Sequence, residues 1–297
     1  MRTEVKRIDE LFGSTATLHR MQRMIRCAEL DADALRNRFS SGIHIDAATV
    51  LLVTHGELTH EINRHTEQAT FGCVIVISSS HLFRVAECSD DCRAVCLMVG
   101  EEFMYRMDSV DMIYKRIRYG VKLYARPVIT LSPSETERIK NRLTELAQAI
   151  ENLNHLYYKE VVLNRLFGFY LDLSDVIDRL DGFAPSEQSS RHESIVKRFV
   201  ELLTANYRTQ HKVDFYASQL NLSAHYLTLI VKEVTGRSVS DFVYWMLYSD
   251  ARALLDDSKM SVQEITALLN FSDQSAFGKF FKRRSGLSPL DYRKRRL

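Results

Sequence analysis

At 297 residues, with 45% hydrophobic and 26% charged side chains, the sequence is that of a globular protein of about two domains, and its four prolines exclude a Pro-rich linker or tail. The net charge of +2 is unevenly spread: residues 1–190 hold 23 basic against 27 acidic side chains, and residues 191–297 hold 17 against 11, a net of +6 that hints at an acidic partner for the C-terminal part. The opening MRTEVKRIDE lacks the apolar stretch of a signal peptide, no run approaches the ~18 apolar residues of a membrane span, and the five cysteines are odd in number, so a reduced, cytoplasmic protein without disulfides or membrane contact is expected.

From Ile43 to about Val128 the sequence predicts strands. TVLLVTHGELTHEIN, FGCVIVISSS and CRAVCLMVG are apolar and β-branched, and Gly56 with a polar connection around Asn63 to Gln68 fits the hairpins of a sandwich or barrel. At LSPSETERIKNRLTELAQAIENL the period changes. Ser132 can cap, Pro133 suits the first helical position and Glu135 completes a capping box. Ile139, Leu143, Leu146, Ile150 and Leu153 then fall at helical spacing, and Val162, Leu166, Phe169, Leu173 and Val176 do so in a second helix over about Leu156 to Ile177. Packing against the strand domain and a dimer seam both fit these stripes. DGFAPSEQSSRH, Asp181 to His192, reads as a flexible linker. The expected domains are 1–130, a helical segment over 131–180, a linker over 181–192 and a helical domain over 193–297.

Within that last domain one piece occurs twice. SQLNLS (Ser218 to Ser223) lines up with ALLNFS (Ala267 to Ser272). In each, Asn221 or Asn270 can enter the left-handed conformation and stop a short helix, and Ser223 or Ser272 can cap the next one. The following helix repeats at an offset of fifty: Leu227 matches Phe277, Ile230 matches Phe280, Val231 matches Phe281, Lys232 matches Lys282, and Gly236 matches Gly286 as a C-terminal cap. Ser238 with Asp241, and Ser288 with Asp291, start a further helix after each copy. Short helix, tight turn and second helix make a helix-turn-helix, and two copies with shared caps are far more specific than one. Leu227, Ile230, Val231 and Val234 are expected inward, as are Phe277, Phe280 and Phe281. That leaves His225, Thr228, Leu229 and Lys232 outward on the first copy, and Gln274, Ser275, Gly278, Lys279 and Lys282 on the second, with Arg283 on the flank. Gln and Lys can hydrogen-bond base edges, and a helix of this size fits the major groove of duplex DNA.

ASQLNLSAHYLTLIVKEVTGRSVSDF, the connecting ARALL and VQEITALLNFSDQSAFGKFFKRRSGLSPLDYRK resemble the DNA-binding domain of the AraC/XylS family of transcription regulators, over about a third of the chain. THGELTHEIN with FGCVIVISS resembles, more weakly, the cupin-like domain of such regulators. The resemblance implies an α+β protein: an N-terminal cupin-like β-sandwich or barrel with a helical dimerisation segment, and a C-terminal all-α domain with two helix-turn-helix motifs joined by a helix near Ser240 to Leu255. It implies a sequence-specific regulator of transcription and not an enzyme, without a cofactor. Its partners would be double-stranded DNA, RNA polymerase, a second copy of the chain and a small-molecule effector in the N-terminal domain. By position the base-contacting sites are His225, Thr228, Leu229, Gln274, Ser275 and Lys279, while Lys232 and Lys282 suit phosphate. Leu229 stands where a basic or polar residue is frequent, so it either touches a thymine methyl or marks a weak reader. Gly278 inside the second helix permits close approach to the DNA backbone, Asn270 replaces a common Gly, and Met246 replaces a frequent Arg.

The rival from another class is a cupin-type metal-dependent enzyme carrying a DNA-binding domain. His44, His55, His60, His65 and His81 include no His-x-His pair, and the evenly spaced Cys88, Cys92 and Cys96 would need a fourth ligand such as His81 to hold zinc. Small buried hydrophobes are the simpler account of those cysteines, and no metal site is expected. No Gly-rich phosphate loop, nucleophile elbow or paired catalytic carboxylates occur.

Overall fold

The computed structural model describes residues 4–12, 22–100, 103–104, 123, 126–179, 187–257 and 259–294. The chain divides into two compact units, one holding the strands and the two long helices up to Pro185, the other holding the helices from Ser186 onward.

The first unit begins with β1 (Glu4–Lys6) and α1 (Ile8–Phe12), then β2 (Ile25–Asp31) and α2 (Ala32–Phe39). Eight strands follow: β3 (Ile43–Ile45), β4 (Ala48–His55), β5 (Leu58–Ile62), β6 (His65–Ala69), β7 (Cys73–Ile77), β8 (Phe83–Cys88), β9 (Arg93–Val99) and β10 (Val128–Thr130). They form two five-stranded sheets, β1-β3-β8-β5-β6 and β10-β7-β4-β9-β2, antiparallel except for β1 with β3. Leu58, Ile62, Phe83 and Val85 of the first sheet and Leu30, Leu51, Val53, Ile75, Ala94 and Cys96 of the second share one core, which makes the unit a β-sandwich. β4 is buried from Thr49 to Thr54 without alternation. That pattern belongs to a strand covered on both faces.

Two sequence expectations change here. The polar stretch from Asn63 was expected as a connection. Only Asn63 and Arg64 turn, at φ 51° and 72°, and His65–Ala69 is the edge strand β6, paired with β5 from Ile62 to Leu58. Both central residues of such a two-residue turn need positive φ, which Asn supplies cheaply, and an edge strand open to water needs no apolar alternation. Gly56 was expected within a hairpin, but β4 and β5 lie in different sheets and the chain crosses from one to the other there. β2 and α2 had not been anticipated. β2 buries Ile25 and Cys27 on one side, and Asp31 caps α2 by accepting from the Ala34 amide at 2.8 Å.

α3 (Pro133–Glu151) and α4 (Tyr158–Arg179) complete the unit. The capping box forms as expected: the Ser132 amide donates to Glu135 Oε2 at 2.9 Å and the Glu135 amide to Ser132 Oγ at 3.4 Å. α3 lies against β2 and β9, where Cys27 Sγ donates to the Leu143 carbonyl at 3.4 Å. Arg142 Nε holds Asp172 at 2.7 Å and Arg165 holds Glu145 at 3.2 Å between the two helices. Ile139, Leu143, Leu146 and Ile150 of α3, and Val162, Leu166, Phe169, Leu173 and Val176 of α4, are buried within the chain. Those stripes are therefore used in internal packing, while Leu153 stays exposed.

The second unit is helical: α5 (Glu187–Asn206), α6 (Val213–Gln219), α7 (Ala224–Thr235), α8 (Val239–Asp257), α9 (Val262–Leu268), α10 (Gln274–Ser285) and α11 (Pro289–Lys294). The expected linker needs correction. Residues 181–186 lie outside the described residues, and 187–192 are the first turns of α5, six residues before the expected start at Glu193. No Pro or Gly interrupts the stretch, and Val196, Phe199, Val200 and Leu203 anchor the helix that the polar residues extend. α8 contacts α7, α9, α10 and α11. It buries Val239, Phe242, Val243, Trp245, Met246, Leu247, Tyr248, Ala251 and Leu255, more than one face of a helix. No helix among the described residues is long and apolar enough to cross a membrane.

Candidate nucleic-acid interface

Each half of the repeat is built by the same local rules. α6 ends at Asn221, φ 55°, with its amide bonded to the Ser218 carbonyl at 3.1 Å and the Leu222 amide to the Ala217 carbonyl at 2.9 Å. α9 ends at Asn270, φ 53°, with its amide bonded to the Ala267 carbonyl at 3.0 Å and the Phe271 amide to the Thr266 carbonyl at 3.1 Å. These paired bonds are a Schellman motif, with Asn in the left-handed position and an apolar residue following it. Asn270 also donates from Nδ2 to the Thr209 carbonyl at 2.8 Å, which ties the second turn to the end of α5.

The next helix is then capped. In the first copy Ser223 Oγ accepts from the Tyr226 amide at 3.2 Å, as expected. In the second the cap is Asp273, which accepts from the Ala276 amide at 2.8 Å, and not Ser272, whose hydroxyl donates to Asp273 Oδ2 at 3.1 Å. The turn after Asn270 is thus one residue longer than the turn after Asn221, and the caps fall at the same offset of fifty as the helix positions. The backbone bond to Ala276, followed by Ser272, holds the Asp273 carboxyl below its ordinary value. Gly236 and Gly286 end α7 and α10 at φ 77° and 76°, where a side chain would be strained. Ser238 with Asp241 and Ser288 with Asp291 start α8 and α11 as the spacing predicted. α9 carries a further box, Ser261 with Glu264, at the same Ser-x-x-Glu spacing as Ser132 with Glu135.

Side-chain directions follow from these fixed ends. Leu227, Ile230, Val231 and Val234 of α7 are buried. Phe277 and Phe281 of α10 are buried, but Phe280, expected inward, is half-exposed; its ring lies 5.0 Å from Phe271 and 6.0 Å from Tyr244. The matching Ile230 of α7 is fully buried, whereas here the third ring packs on the two other aromatics at the rim of the core. On the opposite faces His225, Leu229, Lys232, Gln274, Ser275, Lys279, Lys282 and Arg283 are exposed, and Thr228 and Gly278 half-exposed. All ten candidate residues therefore reach solvent, four on α7 and six on α10, with none packed into the interior. A Cβ built at Gly278 meets nothing within 4 Å. Met246 is fully buried, which removes any phosphate contact from that position of α8.

One supporting cluster had no sequence signal. Asp250 of α8, 6% exposed, accepts from Arg208 Nε at 2.6 Å, Arg208 Nη2 at 3.1 Å and the Tyr207 hydroxyl at 2.9 Å. Hydrogen bonding to Asp250 holds the Arg208 guanidinium above its ordinary value, and burial followed by the Asp250 charge pushes the Tyr207 phenol up to about 12. The cluster locks the end of α5 to the helix under both turns, across more than forty residues of sequence.

Elsewhere, Cys92 and Cys96 are buried in the sandwich core and Cys88 is half-buried, its thiol donating to the Ala32 carbonyl at 3.6 Å. Among the described residues no group of three or more His, Cys, Asp or Glu is arranged to hold a metal ion.

Residues 216–295 match a family model described as a helix-turn-helix domain. The Msm operon regulatory protein of Streptococcus mutans is 32% identical over 108 residues, 36% of this chain and 39% of that protein. The raffinose operon transcriptional regulatory protein RafR of Pediococcus pentosaceus is 36% identical over 95 residues, 32% of this chain and 34% of that protein. The C-terminal domain of AraT, a response regulator from Geobacillus stearothermophilus, aligns with 35% of this chain and 86% of its own at 26% identity and a TM-score of 0.33. The chain thus spans less than two fifths of the length of these two curated relatives. Two Schellman turns, two capped helices with solvent-facing polar rows, and the match over residues 216–295 identify the C-terminal part of this chain as a helix-turn-helix domain, similar to those of operon regulatory proteins.

Proposed function

We propose that this chain regulates transcription by binding a specific sequence in double-stranded DNA, with α7 and α10 each lying in a major groove. The observation that carries it is the duplicated unit: two twelve-residue helices, both held by a left-handed Asn turn and a left-handed Gly cap, both apolar beneath and open above. His225, Thr228 and Leu229 of α7 and Gln274, Ser275 and Lys279 of α10 meet base edges. Lys232, Lys282 and Arg283 meet phosphates and set the register, and Gly278 lets α10 approach closely.

The β-sandwich is the sensing part in this reading. His60 supports it: this side chain is 1% exposed, shares its strand face with the core residues Leu58 and Ile62, and has no hydrogen-bond partner for Nδ1, so a small polar effector in the sandwich would meet it. A second copy of the chain docks on the outer face of α4, where Phe167 is 44% and Leu171 40% exposed after the inner stripe has been used in packing. Acting on transcription brings the bound protein to RNA polymerase, its remaining partner.

In vitro selection of duplexes by the full chain tests the reading. The expected product is a two-part sequence whose halves lie about one helical turn apart, roughly 10 base pairs. A chain that enriches no sequence at low salt would remove it.

A further inference from the structure

The two reading helices are related by an offset of fifty, so their solvent-facing positions can be compared one by one. His225 stands where α10 has Ser275, Thr228 where it has Gly278, Leu229 where it has Lys279, and Lys232 where it has Lys282. Three of these pairs are polar or small on both sides, or shared outright. The exception is Leu229 against Lys279: an isobutyl group and an ammonium at the same turn of equivalent helices.

Leu229 is 52% exposed, with the buried row Leu227, Ile230, Val231 and Val234 turned the other way. His225 and Lys232, four and three positions away, are its neighbours along the outer face, Thr228 is adjacent in sequence, and all three can hydrogen-bond. The leucine therefore forms one apolar spot inside a polar row. An isobutyl group can neither donate nor accept. In the major groove the one apolar mark that distinguishes a base pair is the C5-methyl group of thymine. A lysine at the equivalent place suits the paired acceptors O6 and N7 of guanine.

We infer that Leu229 selects thymine in the half-site read by α7, through contact with the thymine methyl, while Lys279 selects by hydrogen bonding in the half-site read by α10. The inference rests on the DNA-binding reading above and assigns the base that one exposed side chain recognises. It makes the operator chemically asymmetric. One half is sensitive to the presence of a methyl group, the other to acceptors on a purine edge.

The test uses the full chain and the duplex it selects. Each thymine in the α7 half is replaced singly by deoxyuridine, which deletes only the methyl group. The α7 half is the one whose sequence preference survives Lys279→Ala. At one position the replacement should lower affinity about fivefold, the worth of one buried methyl group and its contacts. Leu229→Ala should lose a similar factor on the thymine duplex and nothing further on the deoxyuridine duplex, because each change removes the same contact. Leu229→Lys, which copies α10, should move the preferred base at that position from thymine towards guanine. Leu229 is exposed and outside the core, so none of these variants threatens folding. A selected half-site without thymine, or losses that multiply when protein and DNA are both changed, would overturn the inference while leaving sequence-specific binding standing. Failure to bind any duplex would instead overturn the DNA-binding reading, and this one with it.

Discussion

α7 and α10 are the same device built from different materials. Their lengths, left-handed Asn turns and Gly caps match, yet α7 carries Lys232 and Glu233 as its only Lys or Arg and its only acid, with Glu233 3.6 Å from His192 of α5, whereas α10 carries Lys279, Lys282, Arg283 and Arg284 and no acid. Beneath, α7 rests on aliphatic Leu227, Ile230, Val231 and Val234, and α10 on the rings of Phe277 and Phe281, which meet at 6.0 Å, with Phe281 also contacting Tyr248 and Tyr292 of the neighbouring helices. Position in the fold is set by backbone turns that tolerate either kind of core. What each helix can recognise is set by the few side chains left outside, and these have diverged. On the proposed DNA-binding reading, the charge difference would give α10 the larger share of phosphate attraction and leave α7 to discriminate largely by shape and methyl contact.

The comparison can be broken first at the cores. Phe277→Ala should cost about 3–5 kcal/mol and Leu227→Ala about 2–5 kcal/mol of stability. Because α8 packs under both helix-turn-helix copies, either change should lower the midpoint of one shared urea transition of the helical unit. Trp245 of α8, the only tryptophan, gives a fluorescence signal for it. Two separate transitions would mean that the two copies are independent.

The next largest effect separates reading from anchoring. Lys279→Ala should weaken specific binding by about 1–3 kcal/mol and alter preference in one half-site only. Lys282→Ala should weaken binding to all sequences alike and reduce the slope of log affinity against log salt by about one. A competition assay across salt concentrations distinguishes the two patterns, and an unchanged site preference in the first variant would remove the assignment of Lys279.

The caps offer a smaller contrast. Ser223→Ala and Asp273→Ala should each cost about 1 kcal/mol, but only the second helix has a cap that titrates. Hydrogen bonds from Ala276 and Ser272 depress the carboxyl of Asp273, so its contribution is present above the unfolded-state value, near 3.8, and is lost as pH falls through the lower folded-state value. Asp273→Asn, which keeps an accepting oxygen, should remove that part of the pH dependence in parallel acid titrations, while Ser223→Asn should not change it.

Smallest is Gly278→Ala. The added Cβ meets open space and a better helix former replaces glycine, so stability should rise by up to about 1 kcal/mol. DNA affinity should fall if α10 needs that closeness to the sugar-phosphate backbone. A rise in both quantities would show that the glycine serves no contact.

Much of this was legible in the sequence because the signals are local. Asn221, Asn270, Gly236 and Gly286 announce left-handed backbone by residue type alone, and the structure places all four at positive φ. The Ser-x-x-Glu and Ser-x-x-Asp caps at Ser132, Ser238 and Ser288 need only four residues to declare themselves. Signals that compete or act at a distance were not legible. Ser272 and Asp273 are adjacent acceptors, and only the backbone path after Asn270 decides which one caps. β2, IRCAELD, mixes its buried Ile25, Cys27 and Leu30 with Arg26, Glu29 and Asp31, and the alternation breaks after Cys27, so it does not stand out. The edge strand β6, HTEQA, has no apolar face until Ala69. The bonds from Arg208 and Tyr207 to Asp250 join residues 42 and 43 apart, a pairing that no spacing rule contains. The ten outward residues were found because they are what remains once the repeat fixes the inward ones.

α8 is wrapped on most of its circumference by the helices it joins, and so it behaves as a strut and not as a tether. On the proposed DNA-binding reading, the interval between the two outward faces belongs to the polypeptide, and the DNA would have to supply matching phase. One inserted base pair between the half-sites swings the second away by about 35° around the duplex axis, and five turn it to the far side. Letters within each half can drift over evolution at modest penalty, but the count of bases between them cannot.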